Sequence, residues 1–165
     1  MEEKHITTIV RCVGFEELDA QDQQLVNEAK EATRGAYAPF SRFRVGAAIL
    51  MENGSIVTGA NQENAAFSSG TCAERAACFY AASHFPDMPM KKIAIAAWDH
   101  KGHKAGAPFD ECFQRKPISP CGACRQALME YEHIYGPIEV LLYGADEINV
   151  LPSVASLLPL SFTDF

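Results

Sequence analysis

A chain of 165 residues, 48% hydrophobic and 21% charged, is long enough to bury one substantial core and reads as a single domain over 1–165. Its formal net charge of -7 comes without a basic run, so electrostatics give no reason to expect a nucleic-acid backbone as partner. No apolar run approaches membrane-spanning length, and Met1-Glu2-Glu3-Lys4 lacks the basic start and apolar stretch of an export signal; thiols in metal-ligand spacing then point to a reducing cytoplasm.

Asp19 to Arg34 is expected to be a helix: Leu25, Ala29 and Ala32 fall near one face, Asp19 is placed to cap it and Gly35 to stop it. A turn with three aromatics follows, Ala36 to Phe43. Val45 to Met51 is continuously apolar and reads as a buried strand, Glu52-Asn53-Gly54-Ser55 carries an Asn-Gly hairpin turn, and Ser55 to Ala60 is the return strand. Asn61-Gln62-Glu63-Asn64 lies at the end of that strand. In an extended chain Asn61 and Glu63 point the same way, and an amide beside a carboxylate can hold vicinal hydroxyls; the plainer alternative is a solvated polar loop.

Cys72 to Ser83 is expected to be a second helix, packed through Ala76, Ala77, Phe79 and Tyr80 and broken at Pro86-Asp87-Met88-Pro89. Ile93 to Trp98 reads as another buried strand. Asp99 to Ile118 is a long polar connection containing His100 and His103, read as loop histidines. Cys121 to Tyr131 is a third helix with Pro120 just outside its start. Ile138 to Tyr143 is a strand, and Val150 to Leu158 a short helix with Pro152 in its first turn. Pro159 closes it, leaving Leu160 to Phe165 as an apolar tail. Paired strands and strands alternating with helices give an α/β protein, a three-layer α/β/α sandwich around a mixed sheet.

The chemistry is concentrated in Thr71-Cys72-Ala73-Glu74-Arg75 and Pro120-Cys121-Gly122-Ala123-Cys124. Cys121 and Cys124, three apart at a helix start, can grip one metal, and Cys72 brings a third sulfur. Glu74 stands two residues beyond Cys72, about 200° round a helix, and is placed to reach what the metal holds. Cys-x-Glu followed by Pro-Cys-x-x-Cys is similar to the signature of zinc deaminases. The rival is a structural zinc module with Cys112 or a loop histidine as fourth ligand, which leaves Glu74 unexplained. A second rival keeps the fold and deaminates another aminated heterocycle.

Further stretches widen the likeness: Tyr37-Ala38-Pro39-Phe40-Ser41, Phe43-Arg44-Val45-Gly46-Ala47-Ala48, Asn61-Gln62-Glu63-Asn64-Ala65, Cys72-Ala73-Glu74-Arg75, Pro120-Cys121-Gly122-Ala123-Cys124-Arg125-Gln126 and Leu157-Leu158-Pro159. With these the chain, from Tyr37 to Phe162, closely resembles the cytidine deaminase family. The resemblance implies zinc as cofactor, Cys72, Cys121 and Cys124 as its ligands, and Glu74 as the catalytic proton shuttle. It implies Asn61, Glu63, Phe43, Ala73 and Phe162 as substrate-binding residues. Asn61 and Glu63 would lie on the ribose and Phe43 against the pyrimidine, with Phe162 reaching a neighbouring subunit. A homotetramer acting on small nucleosides, with a place in pyrimidine salvage, is implied too. Two departures stand out: Phe67 where the family commonly has Tyr near the sugar, and a connection between Trp98 and Ile118 that is longer than usual.

Zinc lowers the pKa of a bound water to about 7 in the best-studied sites, but three thiolates leave one net negative charge and blunt that effect. Arg75 is the natural group to return positive charge to the sulfurs, helped by the helix N-termini. The implied reaction is hydrolytic deamination of cytidine and deoxycytidine to the uracil nucleosides with release of ammonia, Glu74 carrying protons to ring N3 and to the leaving amine.

Overall fold

The apolar run after the aromatic turn forms the centre of the sheet. It is β2, Phe43–Met51, and it is buried from Val45 to Met51. The structure, a computed structural model, describes residues 1–99 and 107–163. His100 and His103 lie outside them, as do Asp164 and Phe165.

β2 pairs antiparallel on one side with β3 (Ile56–Ala60) and on the other with β4 (Met90–Asp99). β4 runs parallel to β5 (Glu139–Tyr143), which pairs antiparallel with β6 (Ile148–Leu151). A short strand β1 (Arg11–Val13) closes the far edge against β6. The sheet is therefore mixed, six-stranded, in the order β1-β6-β5-β4-β2-β3. At the β2–β3 hairpin the Gly54 N–H donates to Met51 O, the Met51 N–H donates to Ser55 O, and Gly54 takes φ 84°. That is a type I turn closed by a left-handed glycine, a slightly longer loop than a two-residue Asn-Gly turn.

The period-2 alternation of the strands separates two cores. Val45, Ala47, Ile49 and Met51, with Ile93, Ile95, Val140 and Leu142, face α2 (Ala73–His84) and α3 (Gly122–Tyr135). Ala48, Leu50, Ala94, Ala96 and Leu141 face Leu25, Val26 and Ala29 of α1 (Ala20–Ala32). Helices on both faces make the expected three-layer α/β/α sandwich. Asp19 caps α1 as expected, its side chain accepting from the Asp22 N–H at 2.8 Å.

Three local expectations need correction. Val150 to Leu158 is not a helix: Val150 and Leu151 finish β6, paired with Leu141 and Val140 of β5. Pro152 ends that strand, and only Val154–Leu157 turns helically, as one 3-10 turn. On α2 the core face is Ala73, Ala77, Cys78 and Ala81, the 3.6-residue spacing, while Phe79 and Tyr80 lie opposite it, 50% and 53% exposed. β4 starts at Met90 and α3 ends at Tyr135, each longer than expected. The described part of the long connection, from Ala107, includes the 3-10 turn Phe109–Cys112, which docks on the α1 face of the sheet. There Phe109 stands edge-on to both Trp98 and Phe113, and the Arg34 guanidinium lies 3.7 Å from the Phe109 ring centroid.

Candidate active site

Both zinc-motif helices begin one residue later than expected, so that Cys72 and Cys121 are their N-cap residues, each with extended backbone. An N-cap side chain sits over the free N–H groups of the first turn. Here sulfur occupies the place usually given to oxygen, at the positive end of each helix. α2 reaches this position because β3 lets it approach closely. A Cβ added at Gly59 would lie 2.7 Å from Ala73 O and would run into the Ala77 backbone nitrogen. α2 and α3 pack side by side on the same face, and this brings their two starts together.

The sulfurs of Cys72, Cys121 and Cys124 all lie within 4.8 Å of one another. Tetrahedral zinc with Zn–S bonds of about 2.3 Å spaces its sulfurs about 3.8 Å apart. Cys72 Sγ and Cys121 Sγ are 3.8 Å apart, and Cys121 Sγ and Cys124 Sγ 3.3 Å. Burial, then the neighbouring Glu74 carboxyl, pushes the Cys72 and Cys124 thiols up from their ordinary range. Burial also acts to raise Cys121, but the Cys124 backbone N–H and the neighbouring thiols outweigh it and bring that thiol down. Three clustered sulfurs, two of which resist ionising beside a third that ionises more readily, are a donor set that a divalent cation stabilises. Arg75 supports the same conclusion. Its Nε is buried without a hydrogen-bond partner. Burial opposes its charge, yet the adjacent Cys72 and Cys124 sulfurs hold the guanidinium more firmly protonated. The residues present therefore fit a thiolate-bound zinc ion with Arg75 beside the sulfurs. Cys112 is not part of the cluster; its thiol donates to Pro108 O at 3.3 Å within the docked 3-10 turn.

Cys72 and Cys121 open onto a cavity of about 480 Å³ whose wall includes Phe43, Asn61, Glu63, Glu74, Arg75 and Phe67, with Cys124 buried behind them. Glu74 is only 4% exposed, and burial raises its carboxyl pKa. Glu63 Oε2 accepts from the Phe40 N–H at 2.9 Å and the Ser41 N–H at 3.2 Å. The Ser41 hydroxyl, then these two N–H groups, hold the Glu63 carboxyl below its usual range. Asn61 donates to Phe43 O and accepts from the Val45 N–H. Gln62 exchanges backbone hydrogen bonds of 2.9 Å with Thr71, which ties this loop to the cysteine motif.

Two expected residues stand apart from the cavity. Ala73 is fully buried beneath it, with its side chain in the core, so its first-turn N–H is what it has to offer a ligand. Phe162 is 66% exposed, and its carbonyl accepts from Gln126 Nε2 at 2.7 Å on α3. Two wall residues had no marker in the sequence: Ile118 and Ser119 come from the end of the long connection, just before Pro120. Phe67 is 85% exposed and meets Phe40 edge-on at 6.4 Å.

Comparison with known proteins places this site in context. Residues 19–135 match the family described as the cytidine and deoxycytidylate deaminase zinc-binding region. A cytidine deaminase of Halalkalibacterium halodurans is 40% identical over 144 residues, covering 86% of this chain and 93% of that protein. One from Sporosarcina psychrophila is 39% identical over 141 residues, covering 86% and 90%. The crystal structure of cytidine deaminase from Burkholderia pseudomallei superposes with a TM-score of 0.68 at 36% identity, covering 84% of this chain and 97% of that one.

Proposed function

This chain belongs to the cytidine and deoxycytidylate deaminase family, and we propose that it catalyses the hydrolytic deamination of cytidine and deoxycytidine to uridine and deoxyuridine, releasing ammonia. The observation that carries this reading is the convergence of three sulfurs within 4.8 Å of one another at the cavity that the buried Glu74 also lines.

Cys72, Cys121 and Cys124 would hold zinc, and a zinc ion there supplies a water acidic enough to act as nucleophile near neutral pH. Glu74, whose carboxyl acts on all three thiols, moves the protons: one to ring N3 as oxygen bonds to C4, and one to the amine as the C4–N bond breaks. Water and cytidine in, uridine and ammonia out, the step balances without a redox partner. Arg75 offsets the excess negative charge of three thiolates. Phe43 gives the pyrimidine an apolar face, and the Ala73 N–H in the first turn of α2 is the group that residue would offer the substrate. Glu63 keeps one carboxyl oxygen, and Asn61 one amide hydrogen, for a sugar hydroxyl. Binding at the sugar then positions C4 for reaction.

We further propose a homotetramer in the cytoplasm, serving pyrimidine salvage. Its support is the exposed apolar surface of Phe79, Tyr80, Ile134 and Phe162. Phe162 would complete a neighbouring subunit's cavity. No helix among the described residues is long and apolar enough to cross a membrane. The test of activity is to incubate zinc-loaded protein with cytidine, deoxycytidine and cytosine. The reading expects loss of the cytosine-ring absorbance with one ammonia per nucleoside and very slow reaction of free cytosine; no ammonia from either nucleoside refutes it.

A further inference from the structure

We propose that Asn61 is a positioning residue for the aromatic wall of the cavity: its side-chain amide continues the β3 edge past its end, sets the first residues of β2 and so aims Phe43. Its kinetic test rests on the deaminase reading; its structural test does not.

β3 ends at Ala60, paired with Gly46, whereas β2 already begins at Phe43. On the side away from β4, the Phe43 carbonyl and the Val45 N–H thus face a strand that has run out. Asn61 supplies what is missing. The Val45 N–H donates to Asn61 Oδ1 at 2.8 Å, Asn61 Nδ2 donates to Phe43 O at 2.9 Å, and the Asn61 backbone N–H donates to Val45 O at 3.1 Å. A fixed donor and a fixed acceptor settle which end of the amide is oxygen. The side chain thus does the work of the next peptide group in β3.

What this holds is the cavity wall. Phe43 and Val45 point to the same face of the sheet, by strand alternation, and both line the cavity. Upstream, the Phe43 N–H donates to Ser41 Oγ at 3.0 Å, and the Ser41 N–H is held by Glu63. Asn61 and Glu63 therefore clamp the segment that carries Phe43 from both ends. No other side chain bonds the Phe43 carbonyl or the Val45 N–H among the described residues. Losing the amide leaves both groups facing the wall with no partner, and the Phe43 ring loses its fixed direction. A contact to a sugar hydroxyl can use the remaining amide hydrogen without disturbing this role.

The experiment is a double-mutant cycle on the zinc-loaded enzyme with cytidine: wild type, Asn61→Ala, Phe43→Ala and the double variant, with zinc content and melting temperature recorded for each. Each single change should lower kcat/KM by about 10- to 100-fold, because Asn61→Ala strands two part-buried groups that aim the ring and Phe43→Ala removes the ring itself. The double variant should fall no more than about threefold below the weaker single, because both changes remove the same aimed ring. Losses that multiply overturn the proposal. They are the result expected if Asn61 acts only on the sugar, or only as general support for the fold. Amide hydrogen exchange over residues 43–46 is the second readout. It should speed at least about tenfold in Asn61→Ala and stay slow in Phe43→Ala. Unchanged exchange in Asn61→Ala overturns the proposal whatever the turnover. If zinc-loaded wild type fails to deaminate cytidine, the deaminase reading falls and exchange alone decides this one.

Discussion

Glu132→Ala tests how the frame of the site is held. Glu132 projects from α3 and is 7% exposed. Its Oε2 accepts from the Ile138 N–H at 2.9 Å and the Val154 N–H at 2.7 Å, and its Oε1 accepts from the Ala155 N–H at 2.8 Å. One carboxyl thus joins the helix carrying Cys124 to the start of β5 and to the 3-10 turn before the C-terminal tail. Truncation strands three donors, two of them buried. Each buried donor left unpaired costs about 1–3 kcal/mol and the more exposed one about 0.5–1 kcal/mol, so the change should cost about 2.5–7 kcal/mol. Against a typical stability of about 5–15 kcal/mol that is a large fraction. Glu132→Gln can keep an oxygen on the two buried donors, but its NH₂ must face the Ala155 N–H, so it should cost about 1–2 kcal/mol. Equilibrium urea unfolding of zinc-loaded protein, followed by circular dichroism and fluorescence, measures both. The reasoning is refuted if Glu132→Ala costs under about 1 kcal/mol, or if the Gln variant is as unstable as the Ala variant.

Gly59→Ala should displace α2, because the added methyl meets backbone atoms of Ala73 and Ala77, and zinc retention under a competing chelator should drop; normal retention would mean that the close approach does not set the site. Zinc uptake by metal-free protein should release protons, at least from Cys72 and Cys124, whose thiols are pushed up and stay protonated at neutral pH until metal binds. Affinity should accordingly rise with pH, and calorimetry in buffers of different ionisation enthalpy should show the release, while Cys112→Ala leaves the stoichiometry of zinc unchanged. Phe162→Ala should raise KM or loosen assembly as seen by sedimentation; a fully active monomeric wild type contradicts the shared-site proposal.

The cysteine motif was legible because its chemistry is local: a Cys-x-Glu and a Cys-x-x-Cys fix their own spacing, and only the meeting of α2 with α3 had to come from the fold. β2 and its hairpin were legible for a similar reason, since a long apolar run next to Asn-Gly leaves few alternatives. Ile148 to Leu151 was not. A short apolar stretch before a proline fits a helix start as well as a strand end, and its state is decided by the free edge of β5. β1 is shorter still, with Arg11 and Cys12 exposed, and exists because β6 offers unpaired groups at the edge. Glu132 lies one residue beyond the expected end of the third helix and nothing in the sequence marks it; its three acceptor bonds depend on residues up to 23 positions away. Asn61 was placed at the cavity from its spacing to Glu63, but its bonds to Phe43 and Val45 follow from β3 ending before β2 begins.

The central claim is that a zinc held by three cysteines and the proton traffic of Glu74 together deaminate cytidine. The most direct measurement is the turnover of cytidine by Glu74→Gln protein verified to carry one zinc per chain. The amide keeps the shape of the side chain and its place at the start of α2, but it cannot take up and return a proton. Turnover should fall by at least about 10²–10⁴-fold relative to wild type, with zinc content and melting temperature preserved. Near-normal turnover in that zinc-loaded variant would contradict the account.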